Sequence, residues 1–330
     1  MLAWQPMPKP WFARLDWTFD LIPSLRGLNW SWGWFSESSS VQYQHMPSLG
    51  TSLARFLFAY LLIDVLKTIM IVDPYFWGFI DSGAPTYLPP SIAHPVLLST
   101  YRALIAFAGI WTAIYFIFTL GPLFLVDILG PAFLGVRGER WMYPAGYGSV
   151  TAILDRGLAG FWGTWWHQMF RFVFVSARRW VSDRMGSEWG SPSSKAITIV
   201  TAFLLSGIVH AGGTYTLWRA PSPLGPFLFF ALQPFGLLLE LALQKWSLNK
   251  LIRPFSRLLR LIALLSWFRL TFPLLADGLA AGGMRLFEPL LVSLLRGVGL
   301  VDGESRWWCW RGPFFSWHID NKWWRTGVVL

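Results

Sequence analysis

AITIVTAFLLSGIVHAGGTYTLW, residues 196–218, decides the fold class. The stretch contains no Asp, Glu, Lys or Arg and matches the roughly 20 apolar residues a helix needs to cross a bilayer. Four further stretches on either side are of similar length and largely apolar, with a few charged residues: 52–72, a span within 103–128, 224–244, and about 258–281. Residues 284–301 read as a short sixth span or an interfacial helix. The fold expected is all-α, a polytopic transmembrane helical bundle with about 5–7 spans and a buried reaction chamber. Residues 1–51 form a cytosolic or interfacial segment, 52–301 the helical domain and 302–330 a Trp-rich tail.

Composition supports a membrane protein. Only 13% of the residues are charged, about half the ~25% of a soluble domain, so the polar surface a large soluble fold needs is missing. The 23 Trp suit long membrane–water boundaries, where indole rings sit at headgroup level. The net charge of +10 lies between the apolar runs, as in cytoplasmic loops, which argues against nucleic acid as its partner. A single cysteine, Cys309, excludes an intramolecular disulfide and a cysteine metal cage. No signal peptide opens the chain, so the first span is expected to be its own targeting signal.

The loops assign sides. Loop 73–95 holds Asp73 and Asp81 and no Lys or Arg, whereas loop 129–195 holds eight basic residues against four acids. Segment 245–260 adds Lys245, Lys250, Arg253, Arg257 and Arg260. Positive-inside logic places 1–51, 129–195 and 245–257 in the cytosol and 73–95 in the lumen, and the spans alternate under that assignment. Within the first span, Asp64 and Lys67 stand three residues apart on one helical face and are expected to neutralise each other. Gly121-Pro122 predicts a kink in the second.

Of the five histidines, two lie in apolar surroundings. His210 sits deep in the 196–218 span, where an ionisable group is expensive and points to function; a neutral His bonded to a neighbouring helix is the competing reading. Burial keeps its imidazole neutral, the form a general base needs. Ser206, one turn earlier, is placed to orient it, and Gly207, Gly212 and Gly213 leave room for close approach. His167 lies in FWGTWWHQMFRFVF, residues 161–174, which reads as an aromatic, re-entrant or interfacial helix with Arg171 one turn on and on the same face. An interfacial anchor is its plainer reading. Gln233 and Glu240, seven apart in the 224–244 span, project from nearly one face and mark either a polar cavity or a structural link between helices. There is no P-loop, dinucleotide glycine fingerprint, HExxH or nucleophile elbow.

These pieces resemble the wax synthase-like branch of the membrane-bound O-acyltransferase family, in particular fungal secondary-metabolite acetyltransferases. The matching stretches are SLRGLNW (24–30), WMYPAGYGS (141–149), FWGTWWHQMFR (161–171), AFLLSGIVHAGG (202–213) and QPFGLLLE (233–240). The resemblance implies an acyl-CoA-dependent O-acyltransferase of the endoplasmic reticulum with no permanently bound cofactor and no metal. Its partners would be the bilayer, acyl-CoA and a lipophilic alcohol. It assigns His210 as the intramembrane catalytic histidine and His167 as the second polar catalytic position. Trp166, Gln168, Arg171, Ser206, Gln233 and Glu240 are the candidate contacts to acyl-CoA or acceptor around them. Acetyl transfer to a terpenoid or meroterpenoid alcohol is the preferred version and long-chain wax-ester or sterol-ester synthesis the alternative. Related chains carry more apolar sequence before the SLRGLNW stretch, so a helix or two is expected to be missing here. A transporter with an intramembrane His/Gln/Glu path is the competing class; such proteins usually show paired half-repeats, and this chain has none.

Overall fold

The computed structural model describes residues 7–21, 27, 48–186, 191–217, 221–246, 256–301, 306–310, 316–323 and 326–329. Helix dominates. In chain order come α1 (Trp11–Leu21), α2 (Leu49–Val72), α3 (Pro95–Leu120), α4 (Gly130–Leu134), α5 (Thr151–Gly160), α6 (Arg171–Arg184), α7 (Pro192–Tyr215), α8 (Leu224–Trp246), α9 (Ser256–Ala281) and the single turn α10 (Leu294–Gly297). A small antiparallel ribbon, β1 (Ser316–His318) with β2 (Gly327–Val329), lies in the tail.

Four helical runs among the described residues are long and apolar enough to cross a membrane: Pro95–Gly138, Pro192–Tyr215, Leu224–Ala242 and Arg257–Ala281. Helix α2 has the length, 24 residues, but carries Arg55, Asp64 and Lys67. The chain is an all-α membrane bundle. At Gly121-Pro122, where a kink is expected, the winding changes. The helix continues through nine residues of wide π-type turns, Gly121–Leu129, before a glycine with φ of 69° lets α4 begin. Pro122 removes a backbone donor, and π winding is one way a helix absorbs that loss without stopping.

Two expectations need correction. Residues 284–301 form neither a span nor an interfacial helix; they hold one 3₁₀ turn, Met284–Leu286, and α10. Gly283, at φ 81°, turns the chain out of α9. The segment then serves the charges of α2. Asp64, 1% exposed, accepts from the Ser293 hydroxyl and from the amides of Leu294 and Leu295 at 2.8 and 3.1 Å. The Lys67 ammonium donates to the carbonyls of Arg285 and Phe287. Each buried charge thus has partners on this segment, which is why α2 tolerates them. The second correction concerns 161–174. A helix does not run through it: Phe161–Trp165 is π-wound, Trp166 is extended (φ −60°, ψ 151°), and α6 starts only at Arg171. The same-face relation of His167 and Arg171 therefore does not hold.

The chain packs as two compact units. The first comprises 1–56, 115–207 and 230–270, with Leu123, Leu158, Phe161, Trp165, Phe230 and Leu237 in its core. Arg137 pairs there with Asp16 and Asp20, and Arg257 with Asp155. This unit thereby gathers the N-terminal segment, loop 129–195 and the start of α9, the three stretches that positive-inside logic assigns to one side. The second unit comprises 57–114, 208–229 and 271–330. In it the buried Arg102 grips Asp73 at 2.8 and 3.0 Å and bonds Ser82 and Gly83, pinning the acidic loop. Tyr75 donates to Asp277 at 2.6 Å, and Arg285 stacks on Trp77 at 3.6 Å.

Candidate active site

The aromatic segment around His167 is shaped by three glycines and two polar groups of α8, all in the first unit. Helix α5 breaks at Gly157, whose φ of 56° and ψ of −130° suit glycine alone. The break frees the amides of Leu158 and Ala159 at the start of the second half-helix. Glu240 of α8 accepts from both, at 3.1 Å each. A carboxylate at a helix N-terminus meets unpaired N–H groups and the positive end of the helix dipole. Seven residues earlier on α8, the fully buried Gln233 receives the indole N–H of Trp162 at 3.2 Å and of Trp267 at 3.0 Å. Gln233 and Glu240 thus hold the segment that leads to His167.

Past the π-wound turns the chain is fastened to the WMYPAGYGS stretch. Gly148 donates to the Trp165 carbonyl at 3.1 Å and Gln168 to the Gly146 carbonyl at 3.2 Å. Neither glycine can carry a side chain. A Cβ on Gly146 would lie 2.1 Å from the Phe118 ring, and one on Gly148 2.1 Å from the Thr164 carbonyl oxygen. Rings fill the surroundings: Phe161 stacks on Trp166 at 5.5 Å, and Tyr147 meets Trp165 and Trp166 at 5.7 and 5.9 Å. Burial pushes the Tyr147 hydroxyl well above its ordinary range, so it stays a neutral phenol. The half-buried His167 ring lies 5.2 Å from Trp166 and 5.9 Å from Phe170. Gln168 Nε2 donates to the Trp166 carbonyl at 2.6 Å.

His210 belongs to the second unit. It is half-buried on α7, Ser206 stands one turn before it, and Thr214 caps its carbonyl with a 2.9 Å hydrogen bond. Ile208 and Val209 beside it are 58% exposed. A Cβ added to Gly213, one turn on from His210, would meet nothing within 4 Å, which leaves open space there.

The first unit therefore brings together Trp166, His167, Gln168, Gln233 and Glu240, the last two as anchors of the aromatic segment. The side chain of Arg171, like those of Arg178 and Arg179, lies outside the described residues, as does SLRGLNW apart from Gly27. Sequence reasoning missed Gly157, Trp162 and Trp267. The signal available for Gly157 was its place in LDRGLAGFW, just ahead of the aromatic run, but a lone glycine carries no sign of a helix break.

Residues 143–232 match the model of the membrane bound O-acyl transferase family. The match runs from Tyr143 through His167 and His210 and ends one residue before Gln233. That stretch is similar to the membrane-bound O-acyltransferases. It is 28% identical over 309 residues to the acetyltransferase eriL of Hericium erinaceus, covering 89% of this chain and 74% of that one. It is 24% identical to the O-mevalon transferase macI of Penicillium terrestre, across 69% of this chain and 52% of the relative. The acetyltransferase spyB of Aspergillus fumigatus is 32% identical over 88 residues, 26% of this chain and 15% of its own. No solved structure matches. The chain is thus similar to membrane-bound O-acyltransferases and to fungal proteins named as acetyltransferases.

Proposed function

We propose that this acyltransferase moves an acetyl group from acetyl-CoA to a hydroxyl of a lipophilic secondary metabolite such as a terpenoid, at the endoplasmic reticulum. The observation that carries this reading is the family match over 143–232, which includes both His167 and His210, together with relatives named as acetyltransferases.

In the proposed reaction His210 is the general base. Its neutral imidazole takes the proton of the acceptor hydroxyl as the oxygen attacks the thioester carbonyl. The tetrahedral oxyanion collapses, the C–S bond breaks, and the CoA thiolate takes the proton back from the imidazolium. The thioester is already activated, so neither an acyl-enzyme nor a metal is needed. General-base help of this kind is worth ~10²–10⁴ in rate. His167 or Gln168 donates to the oxyanion, and Trp166 and Arg171 help hold the ring-bearing, anionic CoA. The exposed side of α7 at Val209 and Gly213, one turn from His210, suits a hydrophobic alcohol arriving sideways from the bilayer. A second version, transfer of a bulkier acyl group, is favoured by one observation: a relative over most of this chain is named for transferring a mevalon group.

Microsomes containing the chain, given radiolabelled acetyl-CoA or a long-chain acyl-CoA with a set of lipophilic alcohols, test the reading. Label in the alcohol from acetyl-CoA alone supports it. Label only from the long-chain donor replaces acetyl transfer by the wax-ester or sterol-ester alternative. No transfer from either donor removes the reading.

A further inference from the structure

Helix α1 has two unlike faces. Ala13, Asp16, Trp17 and Asp20 recur at helical spacing and face Arg137 and Met142 across a cleft of about 360 Å³. Arg137 fastens that face, with its guanidinium 3.0 Å from Asp16 Oδ2 and 3.2 Å from Asp20 Oδ1. The stripe turned away from the cleft is aromatic. Trp11, Phe12 and Phe19 are 66%, 83% and 70% exposed. Three such rings left in water on one 11-residue helix forfeit most of the burial that makes aromatics stabilising.

The level of the helix says what covers the stripe. Arg137 is the last residue but one of the apolar run Pro95–Gly138, so a helix gripping it lies beside the end of that run. Phe133 and Val136, 78% and 47% exposed, carry the lipid-facing surface of the span up to the same level. Trp at that depth is typical of the membrane–water boundary. A second copy of the chain is the weaker occupant: three rings supply about 450–750 Å², short of the roughly 800 Å² per partner of a stable interface.

We propose that α1 lies in the headgroup–acyl boundary of the bilayer, its Trp11–Phe12–Phe19 stripe turned into the acyl chains and its two aspartates latched to Arg137. The partner is the lipid surface itself, at the ~5–10 Å depth of interfacial helices. The inference rests on the chain being a membrane protein and is independent of the reaction it catalyses.

Spin labels test it in the full chain, reconstituted in phosphatidylcholine vesicles with Cys309→Ser as background. Nitroxides at Phe12→Cys and Phe19→Cys are compared with one at Arg14→Cys, which points away from the stripe. The expected result is a collision rate with oxygen, relative to a water-soluble nickel chelate, several-fold higher at 12 and 19 than at 14. Equal access of the nickel chelate to all three positions means the stripe faces water and overturns the proposal. Dipolar broadening between labels at 12 or 19 that persists in detergent means a second copy covers the stripe, and overturns it too.

Discussion

The place a Cβ would occupy on Gly157 lies 1.7 Å from Oε1 of Glu240. The missing side chain and the carboxylate share one corner, and the two amides that follow the glycine are the ones the carboxylate caps. Gly157→Ala must therefore strain the backbone at φ 56° and expel Glu240 at the same time. Backbone strain of this kind is worth ~1–3 kcal/mol and a lost helix cap ~0.5–2 kcal/mol. Thermal unfolding in detergent should show Gly157→Ala as the more damaging change and Glu240→Ala as the milder one. An Ala at 157 that leaves the melting temperature unchanged would mean the helix does not break there.

Gln233 accepts two indole N–H groups on one oxygen. Gln233→Leu keeps the volume but strands both donors, at ~1–3 kcal/mol for each buried group left unsatisfied. Gln233→Glu preserves the acceptor. The expected order of stability is wild type, then Glu, then Leu, with activity following because Trp162 leads into the His167 segment. Leu and Glu variants of equal stability would show that the indole bonds contribute nothing.

The chemistry is tested at the two histidines. His210→Ala should lower kcat by roughly 10²–10⁴-fold with the protein still inserted, the loss expected for a general base. Asn should be useless at 210 and partly tolerated at 167, since an amide can donate to an oxyanion and cannot take up a proton. An active His210→Asn beside a dead His167→Asn exchanges the two roles.

Topology has its own test. Met185 is exposed at the end of α6, in the basic loop, and Asp81 is exposed in the acidic loop pinned by Arg102. In the Cys309→Ser background, Met185→Cys should react with an impermeant thiol reagent on sealed microsomes. Asp81→Cys should react only after the membrane is opened. The reverse pattern inverts the assignment and moves the basic loop away from cytosolic CoA.

Acid should loosen α1. The hydrogen bond from Arg137, the largest cause, holds the Asp16 carboxyl below its ordinary value of 3.8. For a depressed carboxylate the stabilisation is present above the unfolded value and is lost as pH falls through the folded one. Mobility of a spin label at Thr18→Cys should stay constant from neutral pH down to about 3.8 and rise below it. Asp16→Asn should remove Asp16's part of that transition; an unchanged acid profile would assign the latch to other groups.

The long apolar helices could be read directly because hydropathy is a local, additive property; α7 lies within a few residues of where 196–218 places it. The basic loops were equally legible, and their ion pairs in the first unit gather the three stretches expected on one side. What stayed hidden depends on partners far along the chain. Asp64 and Lys67 look like a local pair, yet their partners Ser293 and Arg285 lie 229 and 218 residues away. Glu240 reads equally as a cavity carboxylate or as a link between helices until the break at Gly157, 83 positions earlier (240 − 157), supplies the amides it caps and settles it as a link. Residues 161–174 suggested a helix because their aromatics and His167 are compatible with one. The backbone instead follows the glycine contacts at 146 and 148, which no periodicity records.

The ion pair of Asp155 with Arg257 also sets a timetable. The two residues are 102 positions apart, and Arg260, which bonds the Asp155 carbonyl, is 105 positions away. At ~5–20 residues per second, a ribosome needs roughly 5–20 s after making the carboxylate to deliver the first guanidinium. Throughout that interval α7 and α8 enter the membrane while the start of α5 waits without its basic counterpart. The latch on α1 closes earlier in synthesis, since Arg137 follows Asp16 by 121 residues and precedes α7 altogether. Biogenesis therefore fastens the amino-terminal helix first and the start of α5 later, so a nascent chain arrested within α8 has α1 latched to Arg137 and its Asp155 carboxylate still without Arg257.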